Sequence, residues 1–141
     1  MDRTVTDLAT EPSLVEVLTI AQRQVARGLA TVLSEEGFTI DQWRILRALA
    51  DGAGHPMGEL AESLMIPHPT LTRLMDGLGD NSLVYRRQAA EDRRRVTVHL
   101  ARQGQARLTR LNALVAAHEA ALRDTPEWAV LARLIAGVAE R

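Results

Sequence analysis

The chain has 141 residues, 46% hydrophobic and 25% charged, the composition of a single globular domain with enough apolar side chains for a core. It has no cysteine, which excludes disulfides, thiolate metal centres and cysteine redox sensing, and no apolar run approaches the ~18 residues that cross a bilayer. The net charge of −1 is unevenly spread: residues 67–110 hold nine Arg against four acids, while the remainder holds eight Arg against 14 acids. A basic segment inside an acidic chain points to a local polyanion footprint. All 17 basic residues are Arg, whose forked guanidinium suits phosphate and guanine, although a GC-rich genome gives the same bias. The N-terminus is acidic and lacks the basic-then-apolar layout of a signal peptide, so a cytoplasmic location is expected.

Residues 1–12 are polar and unpatterned and read as a loose arm. Ser13 and Glu16 stand as a capping box, and Leu14, Val17, Leu18, Ala21, Val25, Leu29 and Val32 then recur at helical spacing up to the stop at Gly37. Thr39 to Gln42 is a second capping box, opening a helix that carries Trp43, Ile45, Leu46, Leu49 and Ala50. Asp51 to Pro56 reads as a turn. A short helix follows over Glu59–Leu64, broken by Met65-Ile66-Pro67, and a further one runs from His68 to Gly79, with Pro69 tolerated in its first turn.

The period then changes. Leu83–Arg87 and Arg94–Leu100 read as strands, with a polar turn over Gln88–Arg93. In the second strand Val96, Val98 and Leu100 alternate with Arg95, Thr97 and His99. After Leu100 the helical period returns through Leu108, Leu111, Leu114, Val115, His118 and Leu122. Thr125 reads as the N-cap of the last helix, with Pro126 at its first position and Trp128, Leu131, Leu134, Ile135 and Val138 as its apolar stripe. The fold class is therefore mainly α with a small β-hairpin wing, a winged helix-turn-helix over about residues 39–100 within one domain of residues 1–141.

This order suits DNA. A major groove admits a helix, and side chains near the helix N-terminus reach base edges. His68, Thr70, Leu71, Thr72 and Arg73 occupy that place, with Leu71 or Thr70 available to a thymine methyl. Arg86, Arg87, Arg93, Arg94 and Arg95 crowd the hairpin, where a narrow minor groove attracts inserted Arg. Asp92 is out of place in a basic tip unless it orients Arg94 through a charge-assisted hydrogen bond. The bland alternative for each is a solvated surface, and the preceding helix-turn-helix weighs against it.

Gly58-Glu59-Leu60-Ala61-Glu62-Ser63-Leu64, Thr70-Leu71-Thr72-Arg73-Leu74, Leu83-Val84, Glu91-Asp92-Arg93-Arg94 and Val96–Leu100 together resemble the MarR family, closely over about residues 40–110. The Asp-x-Arg signature of the family's wing falls on Asp92 and Arg94. The resemblance implies a homodimer built from the first helix and the last two, about residues 13–36 and 101–141. It implies double-stranded DNA carrying an inverted repeat as partner, with recognition helices in successive major grooves and the wing Arg in the minor groove. It implies a repressor that a small aromatic effector releases. Met65 and Ser82 depart from the pattern, standing where the family often has Gly, and Pro67 stands where a Ser or Thr cap is common.

Gln22, Arg23, Trp43 and His55 are candidate neighbours of an effector pocket, with core packing the plainer reading for Trp43. The four His are scattered, and none is read as having a partner at i+3 or i+4, so no metal site and no cofactor are expected. His118 lies on an apolar stripe and is expected at a dimer core. There is no nucleophile–base pair and no Gly-rich phosphate loop, so an enzyme is not expected, and neither is a membrane partner. The alternative from another class is a winged-helix protein-interaction module without sequence-specific DNA binding.

Overall fold

The computed structural model describes residues 13–141, so the loose arm read over residues 1–12 lies outside the described residues. Six helices and one hairpin follow in order: α1 (Leu14–Ser34), α2 (Ile40–Ala48), α3 (Met57–Leu64), α4 (His68–Asp80), β1 (Val84–Gln88), β2 (Val96–Leu100), α5 (Arg102–Arg123) and α6 (Pro126–Ala139). The strands pair antiparallel, from Val84 opposite Leu100 to Gln88 opposite Val96. Among the described residues no helix is long and apolar enough to cross a membrane.

Capping chemistry fixes some helix starts and not others. At α2 the box closes in both directions: the Gln42 amide donates to Thr39 Oγ1 at 3.2 Å, and the Thr39 amide donates to Gln42 Oε1 at 2.9 Å. At α1 the expected box does not form. Ser13 is the N-cap, but its side chain makes no capping hydrogen bond, and this exposed end leaves its first amides to solvent. Thr125 precedes α6 as expected, yet its hydroxyl turns back to donate to the Leu122 carbonyl at 2.7 Å and closes α5 instead.

The core lies among α2 to α5, the hairpin and the end of α1. Leu33 from the end of α1, Ile45, Leu46 and Leu49 from the α2 segment, Leu60, Leu71, Met75, Leu78, Val98, Leu108 and Leu111 are all essentially removed from solvent. Burial of side chains of this size contributes about 1.5–3 kcal/mol each. By contrast α6 has no buried residue, and Leu131, Leu134, Ile135 and Val138 stand 43–63% exposed.

Two connections differ from the sequence reading. The segment 51–56 is more than a turn: the His55 amide donates to the Val98 carbonyl at 3.0 Å, and the Val98 amide donates to the His55 carbonyl at 2.8 Å. This adds a third, one-residue rung to the hairpin. Arg94 and Arg95, expected in the second strand, lie in the wing turn, because the Arg95 amide closes onto the Asp92 carbonyl at 2.9 Å and the ladder resumes only at Val96. At the base of the wing Gly104 is required. A Cβ there would collide with the Leu83 carbonyl oxygen, which accepts the Ala101 amide at 3.0 Å.

Among the described residues, Met65 (φ 54°) and Ser82 (φ 60°) are the two non-glycine residues with positive φ. Both are positions at which the sequence departs from a glycine-favouring pattern. Met65 caps α3 in the left-handed conformation with its side chain 88% exposed, so it carries backbone strain with little packing in return. Met65→Gly should raise stability by about 0.5–1 kcal/mol, the strain relieved less the extra chain entropy of glycine. Urea unfolding of the two proteins checks this, and a loss of stability would mean that the methionine packs in solution.

Candidate nucleic-acid interface

Helix α4 divides lengthwise. Leu71, Met75 and Leu78, spaced four and then three residues apart, share the core face. His68, Pro69, Arg73, Asp76 and Asp80 face solvent, and Thr70 and Thr72 are half-buried between the two sides. Leu71 therefore has to be withdrawn as a base contact, since its side chain is wholly in the core. Thr72 keeps its place on the open side, with its hydroxyl donating to the His68 carbonyl at 3.0 Å and lying 3.4 Å from His68 Nδ1. Pro69 and Asp76 on the same face were not singled out from the sequence, although their spacing from Thr72 and Arg73 along the helix carried the signal.

Asp76 binds across to the wing. Arg86 Nη2 on β1 donates to Asp76 Oδ1 at 2.8 Å. Arg86, grouped from the sequence with the DNA-contacting Arg of the hairpin, is thus committed to an internal ion pair that ties the hairpin to α4. Helix α3 is held in a similar way: Arg44 of α2 pairs with Asp41 and caps the Leu64 carbonyl at the helix-turn-helix corner. Neither link is visible from local pattern.

Among the described residues, no ion pair engages Arg73, Arg87, Arg93 or Arg95, all of them exposed. Arg94 at the wing tip is 96% exposed, with Nε 3.7 Å from Asp92 Oδ1. The same Asp92 oxygen accepts the Arg94 backbone amide at 3.0 Å. Asp92 thus acts on Arg94 chiefly by shaping the turn that projects it, as Asp side chains do two residues before a bonded amide. The result is a set of unneutralised guanidinium groups on the wing and at Arg73 of α4.

The four residues grouped as an effector pocket are not brought together. Trp43 is nearly buried against α5, where its Nε1 donates to Asn112 Oδ1 at 2.9 Å and the Arg47 guanidinium stacks over its ring at 4.9 Å. The recess beside it is lined by Arg47, Asn112, Arg123 and Trp128, with neither Gln22, Arg23 nor His55. Gln22 and Arg23 are exposed on α1. His55 faces the other way, with Nε2 2.8 Å from Asp51 Oδ2 and Nδ1 2.8 Å from Glu59 Oε1. Those carboxylates stand four residues to either side, so the sequence did offer His55 a partner at i+4.

The other His are placed by packing. His99 stacks on Tyr85, ring centroids 5.2 Å apart, and its Nε2 lies 2.8 Å from Thr97 Oγ1. His118, expected at a dimer core, is exposed in the protomer beside Gly28, where a Cβ would come within 3.1 Å of its Nε2. Among the described residues no group of three or more His, Asp or Glu is placed to hold a metal ion. Glu36 accepts two 2.8 Å bonds from Arg110 and is held below the usual carboxylate range by them.

Residues 36–95 match the sequence model of the MarR family. The transcriptional repressor YetL of Bacillus subtilis is 35% identical over 74 residues, which cover 51% of this chain and 44% of YetL. The chain spans about half the length of the curated relatives it matches. The structure is similar to wild-type MarR of E. coli in its apo form (TM-score 0.77, 26% identity, 91% of this chain and 97% of that one). It is also similar to the transcriptional repressor CouR bound to a 23-mer DNA duplex (TM-score 0.82, 26% identity, 99% and 98%).

The Asp76–Arg86 pair can be measured. It is exposed, so a double-mutant cycle with Asp76→Ala and Arg86→Ala should give a coupling of about 0.2–1 kcal/mol at low salt that shrinks as salt is added. Denaturant unfolding of the four proteins reads it, and zero coupling at low salt would show that the helix and wing are not tied by this bond.

Proposed function

We propose that this chain, whose residues 36–95 match the MarR family model, is a transcriptional regulator of that family that represses transcription as a homodimer, reading an inverted repeat in double-stranded DNA. The observation that carries the reading is the wing: Arg87 on β1 and Arg93, Arg94 and Arg95 in the turn stand exposed with no carboxylate in hydrogen-bonding reach, on a hairpin bonded through Arg86 to Asp76 of α4, a helix narrow enough for a major groove. In this reading the unpaired guanidiniums supply the salt-dependent affinity by displacing counterions, while Thr72, Arg73 and their neighbours on α4 supply sequence choice. Arg94 enters the minor groove from the turn that Asp92 shapes.

Two features support a second subunit. Helix α6 buries nothing and leaves its apolar stripe exposed, and Leu14 and Leu18 of α1 and Leu122 of α5 are exposed as well. Such a surface exceeds what an isolated domain ordinarily leaves in water. A two-fold partner would cover it and supply the symmetry that an inverted repeat requires. Release by a small aromatic effector is the finer part of the proposal. The recess beside Trp43 offers such a ligand a second indole, Trp128, and two guanidiniums, Arg47 and Arg123. The proposed setting is the cytoplasm.

Fluorescence anisotropy with the chain's own upstream region tests DNA binding. Wild type should prefer that duplex to a random one and lose affinity steeply with salt, and Arg94→Ala should cost about 1–3 kcal/mol. Binding no better than to random duplex, there and in a genome-wide selection, would leave an interaction module as the surviving reading. Light scattering tests the subunit count. Leu131→Glu with Leu134→Glu should convert a dimer to a folded monomer, and a wild type already monomeric at micromolar concentration would overturn the dimer.

A further inference from the structure

His55 is gripped on both sides. Its Nε2 and Nδ1 each stand 2.8 Å from a carboxylate oxygen, of Asp51 and Glu59 respectively. A neutral imidazole has one N–H and one lone pair. It would therefore turn a lone pair on one of the two carboxylates, and only the doubly protonated ring satisfies both. The carboxylates are themselves placed: Glu59 rides on the first turn of α3, and Asp51 accepts the Ala53 amide at 3.0 Å. The ring is 19% exposed, which leaves water little room to replace a lost bond.

The same residue holds the wing through its backbone. Its amide and carbonyl both bond Val98, the wholly buried centre of β2. One residue thus joins the α2–α3 turn, the first helix of the helix-turn-helix and the inner strand of the hairpin. The titratable groups on the packed elements are Asp51 from the turn, Glu59 from α3, and from β2 His99, whose ring covers Gly54 and stacks on Tyr85 of β1.

We propose that His55 is a positioning residue for the wing: held as an imidazolium between Asp51 and Glu59, it locks the turn against β2, and loss of its proton loosens the hairpin and weakens DNA binding. The part concerning DNA rests on the function proposed above, and the part concerning the buckle does not. The electrostatics run in the required direction. Glu59 first and Asp51 second hold the imidazole above its usual value, and the Ala53 amide, then His55, holds Asp51 below the usual carboxylate range. A proton bound more tightly in the folded than in the unfolded state stabilises fully below the unfolded value, and that contribution is lost as pH rises through the raised folded value. The wing should therefore loosen on the alkaline side.

NMR of the full-length, isotope-labelled chain tests the buckle. Both His55 ring nitrogens should carry protons at pH 7, and His55 should titrate above the ordinary imidazole range. The intrinsic-rate-corrected protection of the Val98 amide should fall about fivefold between about pH 6 and about pH 9, the effect of weakening one exposed charged bond. In Asp51→Asn with Glu59→Gln that step should vanish, because no carboxylate then requires the proton. A neutral His55 tautomer at pH 7, or a Val98 step that persists in the double variant, overturns the buckle. Affinity of the wild-type chain for the upstream duplex should fall severalfold over the same range and that of the double variant should not, His68 on α4 being common to both. Equal profiles overturn the link to DNA. Binding to no duplex at any pH overturns the DNA reading itself, and the Val98 step still decides the buckle.

Discussion

For α4 to read DNA as proposed, it has to be core on one side and open on the other, and the rest of this fold is arranged around that constraint. Leu71, Met75 and Leu78 are fully sunk, which fixes the rotation of the helix about its axis. With that rotation set, Thr72, Arg73 and Asp76 have to face outward or sideways. The hairpin is pinned to the same core by Val98, and α5 closes the lobe through Leu108 and Leu111. Recognition helix and wing are therefore two outer faces of one packed unit, and neither can shift without opening the other's core.

Electrostatics divides the Arg into two populations that composition alone cannot separate. Arg44, Arg86 and Arg110 make close bonds, to the Leu64 carbonyl, Asp76 and Glu36, and serve to fix elements against one another. Arg73, Arg87, Arg93 and Arg95 have no such partner among the described residues, and Arg94 has only the long contact to Asp92. Charge left unneutralised at a surface costs little in water but is available to a polyanion. The structure concentrates the second population at the wing and along α4, and the first behind them.

The order of elements was legible because the hydrophobic period switches from helical to alternating at Leu83 and back after Leu100. The capping box at Thr39 was legible too, since all its partners lie within four residues. Leu71 was misread through attention to its place near the helix start, when its phase with Met75 and Leu78 already put it in the core. The rung between His55 and Val98, the bond from Trp43 to Asn112 and the pair between Glu36 and Arg110 join residues far apart in sequence. Such contacts have no local signature. The effector grouping failed for the same reason: Trp43 and His55 look alike as isolated polar-capable rings, but one is turned to α5 and the other to β2.

The terminal helices make the same constraint reach beyond the lobe. Helix α5 is continuous from Arg102 to Arg123, and its first half buries Leu108, Leu111 and Val115 in the DNA-binding core. Its last turns carry Leu122, which is 43% exposed and belongs with the stripe on α6. A helix of this length without a Pro or a break bends little. Whatever covers the stripe is therefore connected to the lobe by a stiff rod. In the proposed dimer, a small rotation at the shared surface would move each α4 by a lever arm, altering the spacing of the two recognition helices. The recess beside Trp43 lies along that rod, between α2 and the α5–α6 corner. In the proposed dimer a ligand there would touch α2 and the rod at once, and so couple the lobe to the shared surface.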